Sequence, residues 1–282
     1  MRTLNDRVAV ITGAASGIGE ALARQLHVEG ARLALVDVHA ERLQAVADDL
    51  PGVSVHVLSV ADRDAMSALV DEVVATHGGV NLVINNAGVT VNRPWDETTL
   101  DDWDFVLGVN LWGVIHGCHF FLPELMKADE GHIVNVSSIF GIVGSPTQVA
   151  YCASKYGVRG LSEVLWEELD HTHVGVTVVH PGGVATRIVA DGRQSAALDV
   201  DRLMRRFARQ GISPDQAARQ ILRAVRKGHR RCVITKEAVL MDWVKRIAPE
   251  TANRLVAKAL VRALGMEEAQ QKRLQQYAAS RR

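Results

Sequence analysis

Tyr151 and Lys155 lie four positions apart in a helix-compatible segment, so both side chains project from one helix face. The chain holds seven lysines and three tyrosines, which makes the pair uncommon by chance. A phenol titrates near 10, so a tyrosine base at neutral pH needs a downward shift of about 3 units, or about 4 kcal/mol. A fixed ammonium and a positively charged nicotinamide ring both favour the phenolate. Tyr151 could then take the proton of an alcohol while hydride leaves its carbon, and donate it in the reverse direction. Ser138 lies thirteen residues earlier, just past a buried-strand pattern, where its hydroxyl can hold the substrate oxygen and stabilise developing alkoxide. A hydrolase reading is poor, because Ser138 has neither a G-x-S-x-G elbow nor a neighbouring histidine base.

Chemistry of this kind needs a nucleotide cradle, and the N-terminus supplies one. Val8 to Ile11 is a short apolar run that reads as a buried parallel strand. Gly13, Ser16, Gly17, Ile18 and Gly19 follow in a G-x-x-x-G-x-G turn. Apolar residues at helical spacing come next, and a second strand-like run from Ala31 to Val36 ends at Asp37. A pyrophosphate sits at such a helix N-terminus, where free N–H groups and the helix dipole favour negative charge. Asp37 is placed to accept hydrogen bonds from the adenosine ribose and to repel a 2′-phosphate. Ser16, Val38 and His39 bring no arginine or lysine there, so NAD is expected over NADP.

Further strand-like runs cover residues 53–60, 80–84, 132–136, 174–180 and 231–235, with helical stretches at 62–77, 97–128, 150–171 and 213–228. The alternation predicts an α/β fold with a doubly wound parallel sheet, whose ligands bind beyond the carboxyl ends of the strands. Asn86, Ala87 and Gly88, then Ser138, then Pro181 and Gly182 should meet at that edge.

Together, Thr12-Gly13-x-x-x-Gly17-Ile18-Gly19, Asn85-Asn86-Ala87-Gly88, Asn110, Ser138, Tyr151-x-x-x-Lys155 and Pro181-Gly182 resemble the short-chain dehydrogenase/reductase family over about residues 6–190. The resemblance implies a Rossmann-type fold and a catalytic set of Asn110, Ser138, Tyr151 and Lys155. Lys155 would also bind the nicotinamide ribose, and Asn110 would help hold a relay water. Asn86, Ala87 and Gly88 would line the adenosine side, and the Pro181 to Thr186 loop would hold the nicotinamide amide through Val184 and Thr186. Ser59 stands where the family usually has an aspartate for the adenine, so adenine anchoring is expected to be weaker there or carried by the Val60 backbone. Gly183 loosens the Pro181 loop, which is expected to settle only around bound cofactor.

The interval from Ser138 to Tyr151 carries Phe140 and Val143 among other apolar residues, expected to form a wall for a lipophilic secondary alcohol or ketone. Residues 187–212 resemble the family's mobile substrate loop. The catalytic domain is expected to span 1–236, with residues 237–282 a basic amphipathic helical extension. Its first stripe is Val239, Leu240, Trp243, Val244 and Ile247, and its second is Leu255, Val256, Ala259, Leu260 and Leu264. Subunit or domain packing is the first role expected of it, a substrate lid the second and a membrane surface the third.

The net charge of zero conceals a split. Residues 202–282 carry 20 Lys/Arg against 6 Asp/Glu, and residues 1–201 carry 12 against 26. Mutual complementation within or between subunits is the simplest account, consistent with a homodimer or homotetramer and no nucleic-acid partner. No uninterrupted apolar stretch reads as a membrane span, and there is no signal core. Three scattered cysteines fit a reducing, cytoplasmic setting without disulfides. His116, Cys118 and His119 are the only clustered metal-ligand types, and no metal is expected. Two other readings share the cradle: a non-catalytic NAD(H)-binding redox sensor, and an epimerase or dehydratase that retains NAD.

Overall fold

Val8–Thr12 (β1) is buried along its whole length, as a strand covered on both sheet faces must be. It lies within a seven-stranded, all-parallel sheet of order β3-β2-β1-β4-β6-β7-β9. Its other members are β2 (Arg32–Asp37), β3 (Ser54–Val57), β4 (Leu82–Asn85), β6 (Gly131–Val136), β7 (Val174–Pro181) and β9 (Arg231–Ile234). Two-residue strands β5 (Val91–Asn92) and β8 (Arg193–Gln194) pair apart from it. The computed structural model describes residues 1, 3–196, 200, 201, 205, 209 and 211–264. The substrate loop expected at 187–212 is therefore described in part, and residues 265–282 of the expected extension lie outside the described residues.

Side-chain alternation along the strands builds two cores. Ala9, Ile11, Leu33 and Leu35 face α1 (Gly17–Val28), α2 (Ala40–Asp48) and α7 (Pro214–Arg226). Val8, Val10, Ala34 and Val36 face α3 (Arg63–His77), α5 (Gly113–Lys127) and α6 (Val149–Glu168). This is the doubly wound α/β arrangement expected from the alternating pattern. The expected helix and strand centres coincide with the observed ones, although the run at 53–60 narrows to β3 and α2 was not anticipated.

α4 (Leu100–Leu107) opens on a capping box of Thr99 and Asp102 and joins α5 through a π-helical turn, Gly108–Trp112. The continuous rod from Leu100 to Lys127 is, by length and composition, apolar enough to cross a membrane. It is not an uninterrupted apolar stretch of the kind the sequence lacks. Scattered polar residues such as Asn110 and His116 hide it in the sequence, but helix continuity across the π turn joins the apolar parts. In this fold it packs on α3, α6 and the sheet.

The C-terminal extension forms α8 (Lys236–Ile247) and α9 (Pro249–Leu264). Most of the expected stripe turns away from the rest of the subunit. Val239, Leu240, Trp243 and Ile247 are exposed, whereas Ala238 and Asp242 are buried. A two-pronged ion pair sets this rotation: Arg231 donates to both Asp242 carboxylate oxygens at 2.7 Å. Burial would raise the Asp242 pKa, yet the hydrogen bonds from Arg231 and the charges of Arg231 and Arg246 hold it below the ordinary value.

Candidate active site

The glycine turn is built by close approach. A Cβ on Gly19 would lie 2.0 Å from the Gly13 carbonyl oxygen and 2.6 Å from the Asn86 amide nitrogen. Gly17 takes φ +59°, in the left-handed region that glycine adopts without strain. Ser16 caps α1 in an extended conformation without using its side chain, so its hydroxyl and the first N–H groups of α1 remain for an anion. Ile18 packs partly buried against the core below.

Thr12 ties the cradle to the next strand. Its hydroxyl accepts from the Asn86 and Ala87 N–H groups, each at 3.0 Å, and Asn86 donates to the Thr12 and Gly13 carbonyls. Asp37 accepts from Ala15 N–H at 3.0 Å with one oxygen and from His39 N–H at 3.0 Å with the other. A carboxylate has about four acceptor sites, so capacity for a ribose diol remains. The Val60 carbonyl already accepts from His116 Nδ1 at 2.9 Å, which leaves its N–H as the group for an adenine. Ser59 is spent locally, its hydroxyl accepting from Ala61 N–H.

The reactive side chains converge past the ends of β6 and β4. Tyr151 and Lys155 occupy successive turns of α6, with Lys155 Nζ 5.7 Å from the phenol ring centre. Lys155 is buried and donates to the Val136 carbonyl at 2.8 Å. Burial pulls its pKa down to about 8. Burial likewise pushes the Tyr151 phenol up to about 12, opposed by a hydrogen bond with the Ser138 side chain. Burial is the largest influence on the phenol, and it works against the phenolate that a fixed ammonium and a positive nicotinamide ring together are expected to favour. Ser138 Oγ also accepts from Phe140 N–H at 3.1 Å.

Asn110 is fully buried in the π turn. Its Oδ1 accepts from Val89 N–H at 2.8 Å, and its Nδ2 donates to the Val89 carbonyl at 2.9 Å and to Ser154 Oγ at 3.2 Å. Gly88 separates it from Lys155: a Cβ there would meet Asn110 Oδ1 at 3.4 Å and Lys155 Nζ at 3.5 Å. Both amide protons of Asn110 are thus engaged.

The apolar wall is narrower than expected. Phe140 stands edge-on to the Tyr151 ring, 6.3 Å between centres, and Val89, Phe105 and Ile188 join it around Tyr151. Val143 does not reach this wall. It is fully buried among Ile139, Ile142 and Ala238, because the turn after Ser138 directs it toward α8.

Beyond Pro181 the chain crosses the cradle. Gly182 N–H donates to the Ile234 carbonyl, and Gly183 and Ala185 bracket Ile212 through a parallel bridge at Val184. The loop that Gly183 was expected to loosen is held by these bonds. Thr186 sits against Gly17. Asp191 then pairs with Arg42 of α2 at 2.9 Å, and Arg193 pairs with the buried Asp102 at 3.0 Å. The strap from 186 to 194 therefore spans the groove from the Asp37 side to α4. Neither anchor was foreseen, since both pairings join residues about 90 or more apart in sequence.

His116 stacks with Trp112 and Phe120, and Cys118 is buried beside Asn85 and Asn135. Among the described residues no group of three His, Cys, Asp or Glu side chains could hold a metal ion.

The sequence profile described as short chain dehydrogenase matches residues 7–197. The chain belongs to the short chain dehydrogenase family. SadH of Mycobacterium tuberculosis, a relative carrying an oxidoreductase name, is 40% identical over 273 residues, covering 93% of this chain and 98% of SadH. The 3-oxoacyl-[acyl-carrier-protein] reductase FabG of Thermotoga maritima is 40% identical over 187 residues, covering 65% of this chain and 76% of FabG. A short chain dehydrogenase/reductase from Burkholderia phymatum, solved in complex with NAD, superposes with a TM-score of 0.82 at 30% identity, covering 89% of this chain and 96% of that one. This short chain dehydrogenase is thus an oxidoreductase of a family that uses NAD(P) and acts on small molecules. At 93% of this chain, the match to SadH takes in α8.

Proposed function

We propose that this chain interconverts a secondary alcohol and its ketone with NAD(H), with Tyr151 as the general acid/base and an apolar substrate at the Phe140 wall. One observation carries the reading: the Tyr151 phenol meets the Ser138 hydroxyl on one side, with the Lys155 ammonium beneath its ring. The cradle fits a dinucleotide, since Gly19 has no Cβ to prevent the close approach of the turn to α1 and the α1 N-terminus is uncapped by side chains. Gly13, Ser16, Gly17, Ile18 and Gly19 would take the pyrophosphate. Asp37, the Val60 N–H, Asn86, Ala87 and Gly88 would take the adenosine side. Pro181, Gly182, Val184 and Thr186 would take the nicotinamide end, with Tyr151 and Lys155 at its ribose.

When bound, NAD⁺ supplies the hydride acceptor and a positive ring beside Tyr151. The chain's own groups handle the proton. Lys155 spends one of its three N–H donors on Val136, leaving two for a ribose diol and for the charge near Tyr151. Ser138 accepts from Phe140 N–H, and its hydroxyl, hydrogen-bonded with the Tyr151 phenol, would hold the substrate oxygen beside that phenol. Tyr151 removes the alcohol proton in oxidation and returns it in reduction. Asn110, with both amide protons engaged, holds the Val89 backbone after β4 and leaves acceptor capacity for a water.

NAD is favoured over NADP by Asp37 and by the engagement of Arg42, the nearby cation on α2, with Asp191. We place the catalytic unit at 1–236, and assign 237–282 to packing within a homodimer or homotetramer.

The test is a panel of lipophilic secondary alcohols with NAD⁺, followed by NADH absorbance. Oxidation of at least one alcohol is expected, with Tyr151→Phe abolishing turnover while NADH affinity stays within about three-fold. Turnover surviving in Tyr151→Phe would sink the acid/base assignment, and faster turnover with NADP⁺ would sink the cofactor preference.

A further inference from the structure

His180, one residue before the end of β7, is polar and completely buried. Its Nδ1 lies 3.0 Å from the Ser138 carbonyl oxygen. An acceptor there requires Nδ1 to carry the proton of the ring. Burial, the largest influence, pulls the His180 pKa down to about 4, so the ring is neutral at pH 7. Nε2 is then a bare acceptor, buried and without a protein partner.

Arg231 supplies the complement. Val178 pairs with Arg231 and His180 with Val233 in the β7–β9 register, so the two-residue period puts His180 and Arg231 on the same sheet face. The terminal nitrogens of Arg231 hold Asp242 of α8, while its Nε–H is buried and unpartnered. A donor lacking an acceptor and an acceptor lacking a donor thus share one sheet face on adjacent strands, with Asp242 of α8 held by the same arginine. A buried water bridges such groups when the site is polar.

We propose that His180, Arg231 and Asp242 form a positioning chain that anchors the Ser138 turn to α8, closed by a water donating to His180 Nε2 and accepting from Arg231 Nε. Apolar contacts run alongside it. Ala238 and Met241 of α8 pack on Ile139, Ile142 and Val143, directly after Ser138. Thr235 and Ala238 also close on Gly182, where an added Cβ would lie 2.4 Å from Thr235 Oγ1 and 3.2 Å from Ala238. The start of the extension is thereby part of the active-site frame. This inference rests on the reading of Ser138 as the hydroxyl that holds the substrate oxygen.

Two measurements test it. In protein carrying ¹⁵N-histidine at pH 7, the ring signal absent from His180→Asn is expected to show the Nδ1–H tautomer. An Nε2–H tautomer or an imidazolium overturns the proposal. In oxidation of the panel alcohols, His180→Leu is expected to lower kcat about 10- to 100-fold through misplacement of Ser138, with NADH Kd and substrate KM within about three-fold. His180→Asn keeps an N–H near the Nδ1 position and is expected to recover most of that loss. Asp242→Asn is expected to lower kcat by a smaller factor, about 3- to 10-fold. An unchanged kcat in His180→Leu, or a parallel loss of kcat and NADH affinity in both His180 variants, overturns the positioning role. Failure of the unmodified protein to oxidise any panel alcohol would count against the proposed reaction, while the tautomer would still decide the His180–Ser138 hold.

Discussion

Gly19→Ala places one methyl group where the cradle has no room. The new Cβ would start 2.0 Å from the Gly13 carbonyl oxygen and 2.6 Å from Asn86 Nδ2. Real contacts of this kind essentially never fall below 3.0 Å, so the Gly13 peptide must retreat by about 1 Å. That peptide cannot move alone, because Asn86 donates to its carbonyl and a Cβ on Gly13 would already lie 2.8 Å from Ala87 Cα. Overpacking at a constrained site costs about 1–3 kcal/mol. If the strain falls on the dinucleotide-bound form, it weakens NADH binding about 5- to 150-fold. Fluorescence titration of NADH measures the affinity directly, and thermal melts without ligand report damage to the free protein. NADH binding within about two-fold of the unmodified protein would refute the placement of the pyrophosphate at this turn. Equal destabilisation of free and bound forms would show that Gly19 serves folding rather than binding.

Asp37→Ala removes the acceptor for two cradle N–H groups and for the proposed ribose contact, so NADH affinity should fall about ten-fold or more while NADPH falls less. Paired titrations check it, and equal losses for both nucleotides would refute it. Acid should destabilise the fold through His132, which burial holds at a pKa of about 3, and His180, held at about 4. Above the unfolded value of about 6.5 neither state binds a proton there; below it only the unfolded state does, so each histidine costs about 2 kcal/mol by pH 5. Urea melts at pH 7 and pH 5 should show that loss, with His132→Gln removing about half, and a pH-independent midpoint would contradict it. Asp191→Ala frees the strap from Arg42 and removes its internal pair with Arg187, both partly exposed and worth less than about 1 kcal/mol each. NADH should dissociate about two- to five-fold faster in stopped-flow displacement, and slower release would show that the strap does not cross the groove.

The central strands were legible because they are covered on both faces, so that β1 appears as a continuous apolar run at residues 8–11 and β7 as a valine-rich one at 174–179. Tyr151 and Lys155 were legible because helical spacing makes near neighbours of positions four apart. Asn110 emerged only through family resemblance, since its inward position depends on a π turn that no local pattern marks. The error at Val143 has a similar origin. Apolar character marks a residue for burial without saying whether a substrate or α8 will cover it.

Long-range polar contacts were the least legible of all. Arg42 finds Asp191, Arg193 finds Asp102, and His180 finds Ser138 across 149, 91 and 42 positions. β5 and β8, two residues each, are too short to leave a periodic signal. The tail shows the division most clearly. Its sequence alone established amphipathic, basic helices. The rotation of α8 was decided by Arg231 holding Asp242 inward, which turned Leu240, Trp243 and Ile247 outward against their hydrophobic pattern. Local sequence sets which backbone forms and which side chains share a face. Which face is buried depends on partners from distant strands, and here a buried ion pair, not the apolar stripe, fixes the orientation.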